Sequence, residues 1–107
     1  MRRDVFQAIA DPVRRDIIEL LAKEVLTVNH IAERFTISRP AISKHLRILN
    51  ECEIITFKKE GRERFCHIQA DKLLPAYVWI DKYKQLWDNR IDAFEDYLKT
   101  IENTENE

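Results

Sequence analysis

The sequence predicts a mainly α-helical domain with one small β-hairpin, and three observations carry that prediction. Apolar residues recur at helical spacing from Val5 to Leu49, and the chain's single glycine, Gly61, separates two β-prone runs. Beyond Asp71 there is no glycine and only one proline, Pro75. At 107 residues the chain has the size of one domain, able to bury roughly two-thirds of its unfolded surface, so residues 1–107 are expected to share one core.

A first helix is expected over residues 3–9, with Val5, Phe6 and Ile9 on its apolar side. Asp11-Pro12 opens the next. An aspartate accepts from the free N–H groups of a first turn, and proline fits the first helical position. Val13, Ile17, Leu20 and Leu21 then make an amphipathic helix to about Lys23. Val25-Leu26 reads as a turn, and Thr27 as the cap of a third helix. The apolar positions of that helix, Val28, Ile31, Ala32 and Phe35, follow i, i+3, i+4, i+7.

Thr36-Ile37 forms a tight turn, and Ser38 caps a fourth helix over 38–52, with Pro40 tolerated in the first turn. Ile42, Leu46 and Leu49 face the core there, while Pro40, Ser43, Lys44 and Arg47 project to the opposite side. Two short helices joined by a tight turn, the second with a basic outer face, make a helix-turn-helix. The β-prone runs 54–59 and 64–68 flank Glu60-Gly61-Arg62, which predicts a hairpin, a wing over 54–68. That order is the order of a winged helix-turn-helix.

A single long helix is expected over 74–101. Its apolar residues repeat by seven through Leu73, Ile80, Trp87, Phe94 and Ile101, with Ile91 and Leu98 on a second track and Trp79 and Leu86 on a third. Tyr83 and Tyr97 lie alongside. Such a face is wider than a small domain covers by itself, so it predicts a homodimer, with Phe6, Ile80, Tyr83, Trp87, Ile91, Phe94 and Leu98 in the interface. A ligand pocket lined by the same aromatics is the alternative.

The net charge of −1 conceals a division. Residues 34–72 carry nine Lys/Arg against five Asp/Glu, residues 73–107 carry four against eight, and the first 33 carry five against six. The reading head and wing are thus basic and the last helix acidic, the polarity that a DNA-binding dimer needs.

Other classes fall away. No apolar stretch is long enough for a membrane span, and Met1-Arg2-Arg3-Asp4 has no apolar region behind it, so neither membrane insertion nor a signal peptide is expected. Cys52 and Cys66 are too few and too far apart for a disulfide framework or a zinc knuckle, which fits a reducing, cytoplasmic setting. One glycine cannot build a phosphate-binding loop. No Ser or Cys nucleophile pairs with a histidine and an acid, so no catalytic residues, and no enzyme, are expected.

Residues 9–21, IADPVRRDIIELL, resemble the opening of ArsR-type winged-helix repressors, whose pattern reads LADPTRRRILELL. Residues 37–49, ISRPAISKHLRIL, are similar to the family's recognition helix, and residues 59–64, KEGRER, to its wing tip. The C-terminal pattern of Trp79, Tyr83, Trp87 and Tyr97-Leu98 resembles the branch that includes SdpR-like autorepressors. The resemblance implies a dimeric repressor of double-stranded DNA acting on a pseudo-palindromic operator, its own promoter included. Metal-sensing members hold ions through third-helix cysteines or through Asp and His on the last helix. Here the third helix opens Thr27-Val28-Asn29-His30 and no histidine follows His67, so neither a metal nor another cofactor is expected. Where relatives place glycine after the recognition helix this chain has Glu53, which predicts strain of about 1 kcal/mol at a left-handed residue.

The expected DNA contacts are Ser38, Arg39, Pro40, Ser43, Lys44 and Arg47 on the recognition helix and Lys58, Arg62 and Arg64 on the wing, with Lys59 a lesser one. Ser38 is a cap first and a phosphate contact second. His45 lies beside Ile42, Leu46 and Leu49 and reads as a packed or capping residue, and His30 as a surface one. Cys52 and Cys66 read as small core residues, with a thiol switch as the alternative. Two further alternatives are a ligand-responsive sensor of the same fold and a winged-helix protein-interaction module. Apolar or acidic residues in place of Arg39, Lys44 and Arg47 would mark the latter.

Overall fold

The computed structural model describes residues 3–105. The chain divides into two compact units, Met1–Ala76 and Tyr77–Glu107.

The first four helices of the first unit each start where a side chain satisfies free N–H groups. Asp4 accepts from the Gln7 N–H at 3.1 Å and opens α1 (Val5–Ile9). Asp11 accepts from Val13 at 2.8 Å and Arg14 at 3.2 Å, and with Pro12 begins α2 (Pro12–Lys23). Thr27 caps α3 (Val28–Glu33) through the His30 N–H, and Ser38 caps α4 (Arg39–Glu51) through the Ala41 N–H. Exchanging such a cap for alanine typically costs about 1 kcal/mol.

The predicted core face of α4 is buried: Ile42, Leu46 and Leu49 pack with Ile17 and Leu21 of α2 and Ile31 of α3, and Ile48 joins them. Ile54, which follows α4, and Ile55 and Cys66 of the hairpin complete the floor of the core.

Three differences from the sequence expectation stand out. Val25-Leu26 is no simple turn, because Leu26–Thr27 forms a short strand, β1, pairing antiparallel with the far strand of the hairpin (Leu26 opposite Cys66, Thr27 opposite Phe65). The hairpin strands are β2 (Ile55–Glu60) and β3 (Glu63–Ile68), and the sheet order is β1-β3-β2. A strand of two residues is too short to show an alternating pattern. In α1, Val5 and Ala8 are buried and Phe6 is 41% exposed, since the helix begins at Val5 and turns an i, i+3 pair inward.

The third difference is the C-terminal helix, expected unbroken over 74–101. A 3-10 turn over Ala70–Leu73 leads into α5 (Leu74–Asp81), which contains the boundary between the units, and α6 (Lys84–Glu105) follows after a turn at residues 82 and 83. No glycine or proline marks the turn. It is closed by the Tyr83 N–H donating to the Ile80 carbonyl at 3.0 Å, and the rings of Trp79 and Tyr83 meet edge-on with centroids 5.3 Å apart. No described helix is long and apolar enough to cross a membrane.

Candidate nucleic-acid interface

The capped start and apolar inner stripe of α4 leave its other side to solvent. Arg39, Pro40, Ser43, Lys44 and Arg47 are all exposed, as is Ser38, whose hydroxyl oxygen accepts from the Ala41 N–H at 3.3 Å and so serves as a cap. The exposed stripe continues to Asn50, at i+3 from Arg47 and i+7 from Ser43.

Between α4 and the hairpin runs a groove of about 590 Å³ lined by Val28, Pro40, Ser43, Lys44, Leu46, Arg47, Asn50, Phe57 and Arg64. The guanidinium of Arg64 lies 4.2 Å from the Phe57 ring centroid, a stacking contact that orients the cation along the groove. A smaller recess beside it, about 180 Å³, gathers Arg39, Ser43, Arg62 and Arg64 with Asn29 and Glu63. Of the sequence-predicted contacts, the structure therefore brings together Arg39, Pro40, Ser43, Lys44, Arg47, Arg62 and Arg64.

Ser38 and Lys58 line neither hollow. Strand register places Lys58: it pairs with Phe65, whereas Lys59 pairs with Arg64 and Phe57 with Cys66. Since side chains alternate across a sheet, Lys59, Arg64 and Phe57 share one face and Lys58 projects from the other. Sequence reasoning missed Asn50, although its helical spacing from Ser43 and Arg47 was visible, and Phe57, whose place under Arg64 depends on the pairing of two strands.

It also missed Arg14. This side chain is only 9% exposed, and its Nε donates to the Ala8 carbonyl at 3.1 Å while Nη2 donates to the Gln7 carbonyl at 2.8 Å. Nη1 meets Nδ1 of His45 on α4 at 3.3 Å. Around it lies a second cleft, about 510 Å³, lined by Arg3, Gln7, Asp11, Arg14, Ala41, Lys44, His45 and Ile48. Burial opposes charge on Asp11, but the backbone N–H groups of Arg14 and Val13, with the nearby His45 and Arg14 side chains, outweigh it and hold the carboxyl below its ordinary range.

Both cysteines are buried and free. Burial pushes the Cys66 thiol up to about 11, against the pull of Arg64, and raises Cys52 despite Arg3 and Arg14. A thiol held so far from its thiolate is a poor redox sensor, and the thiol-switch alternative is not favoured. Among the described residues no three His, Cys, Asp or Glu side chains gather as metal ligands.

A family description, bacterial regulatory protein of the arsR family, matches residues 11–56, which run from the α2 cap into β2. The transcriptional repressor SdpR of Bacillus subtilis is 37% identical over 86 residues, spanning 80% of this chain and 96% of the relative. The chain belongs to the arsR family. It is a DNA-binding transcriptional regulator of the winged-helix fold. An HTH-type transcriptional regulator of Mycobacterium tuberculosis is 32% identical over 78 residues, 73% of each chain. Among solved structures, the crystal structure of an ArsR family transcriptional regulator is similar, with a TM-score of 0.70 and 32% identity over 78% of this chain and 92% of the other. A possible transcriptional regulator for arsenical resistance has a TM-score of 0.66 and 36% identity over 80% of this chain and 95% of the other.

Proposed function

We propose that the protein is a cytoplasmic, homodimeric repressor that sets two copies of α4 in successive major grooves of a pseudo-palindromic operator, with the wings against the flanking backbone. The observation that carries this reading is the groove in which Pro40, Ser43, Lys44, Arg47 and Arg64 converge. Arg39, Lys44 and Arg47 reach guanine edges or phosphate, Ser43 donates to either, and Pro40 with Ala41 offers apolar contact to a thymine methyl. Arg62 and Arg64 supply phosphate contacts, the shared face of Lys59 and Arg64 adds Lys59 to them, and Lys58, on the other face of the hairpin, supplies a weaker one. A second copy covers Trp87, Ile91, Phe94 and Leu98 of α6, together with Ile80, Tyr83 and the exposed Phe6. Repression is supported by the relative SdpR, a repressor.

Selection of duplexes from a random-sequence pool tests this, with the protein's own promoter as a second probe. The expected product is an inverted repeat with half-site centres about 10 base pairs, or a multiple, apart. Enrichment of no duplex, or equal enrichment by a Lys44→Ala, Arg47→Ala double variant, would overturn it.

A further inference from the structure

We propose that Arg14 and His45 form a positioning pair for the reading head. The buried guanidinium, anchored on the end of α1, holds the flank of the recognition helix through the His45 ring, and specific DNA affinity therefore depends on that contact. The inference rests on the DNA-binding reading above.

Arg14 is the one buried cation among the described residues, and its side-chain contacts join α2 to α1 and α4. Two of its donors bind the Gln7 and Ala8 carbonyls in the last turn of α1, which fixes the guanidinium plane. The third nitrogen points at His45 Nδ1. A guanidinium has donors and no acceptor, so Nδ1 is the unprotonated nitrogen and the ring carries its proton on Nε2. One helical step away lies Lys44, which lines both the wing groove and this cleft. The Arg14 contact thus adds to the packing of Ile42, Leu46 and Leu49 in fixing the roll of α4 about its own axis, and with it the aim of Ser43, Lys44 and Arg47.

The test compares wild type, Arg14→Met, His45→Gln and His45→Leu on the duplex that wild type enriches, at pH 7.5 and matched ionic strength. Glutamine keeps an acceptor for Arg14 and leucine removes it. His45→Gln is expected to bind as wild type, and His45→Leu about tenfold more weakly. Arg14→Met is expected to bind about tenfold more weakly at pH 7.5, the scale of one hydrogen bond to a charged group. Imidazole ¹⁵N shifts of the free protein supply a readout independent of DNA: wild-type His45 is expected as the Nε2–H form, and a mixture of forms after Arg14→Met. An unchanged tautomer in Arg14→Met, or equal affinities for wild type and His45→Leu, would overturn the pair. If no duplex is enriched, the DNA-binding reading fails while the tautomer measurement still judges the pair.

Discussion

At the scale of single residues, Glu53 shows how a local departure in sequence becomes a measurable strain. It follows the Cys52 cap of α4 with φ 65°, the region a side chain disfavours, and it stands where glycine ordinarily ends such a helix. Its contact with Lys72, 3.9 Å between exposed groups, adds little. Glu53→Gly is therefore expected to stabilise the fold by about 0.5–1 kcal/mol, after the extra unfolded-state entropy of glycine. That corresponds to a rise of a few degrees in Tm by calorimetry, and a fall would refute the assignment. Cys66 gives a prediction of opposite kind. Its folded thiol titrates near 11, above the value of an unfolded cysteine, so the unfolded chain loses its proton first as pH rises. The stability contributed by the buried thiol is complete below about pH 8.5 and declines as pH climbs toward 11. Urea midpoints should fall between pH 8 and 10 more steeply in wild type than in Cys66→Ala, and at pH 8 native Cys66 should resist a thiol reagent until the protein unfolds. Glu53 was legible because glycine has a specific job at a helix end; the burial of Cys66 was legible only as a tendency of its residue type.

At the scale of elements, what could be read follows from how local each signal is. The four capped helices of the first unit announce themselves by a polar residue ahead of an apolar stripe, and each cap bonds within three residues of itself. The strand β1 and the aim of the wing cations depend on pairing across the chain, and a shift of one residue in register moves every side chain to the other face. The sequence reading favours Lys58 over Lys59, whereas the pairing of Lys59 with Arg64 puts Lys59 on the groove side. On the enriched duplex, Lys59→Ala should lower the slope of log affinity against log salt by about 1, whereas Lys58→Ala should change it less. Equal slopes for the two variants would remove Lys59 from the groove-side set. The break between α5 and α6 escaped notice for a related reason: a backbone bond across three residues and one aromatic pair make the turn, and both are compatible with a sequence of good helix formers.

At the scale of the whole molecule, the division of charge and the division of apolar surface coincide with the two units. Residues 34–72, with four more basic than acidic side chains, belong to the first, and the acidic excess of residues 73–107 falls entirely within the second. The second unit also carries the apolar side chains for which its own fold provides no cover: Trp87, Ile91, Phe94 and Leu98 follow one stripe of α6 and are each at least 43% exposed. Contiguous apolar surface of this kind is rare on a monomer, and a second copy with the same stripe is self-complementary. In the proposed dimer, assembly and operator binding are linked, because a palindrome rewards two joined reading heads with an effective concentration that separate heads lack. A Phe94→Asp, Leu98→Asp variant should leave the first unit folded by circular dichroism, run as a monomer in light scattering at micromolar concentration, and bind the full inverted repeat no better than a single half-site. If that variant stays dimeric, or binds the repeat as tightly as wild type while monomeric, the stripe on α6 is not what joins the reading heads.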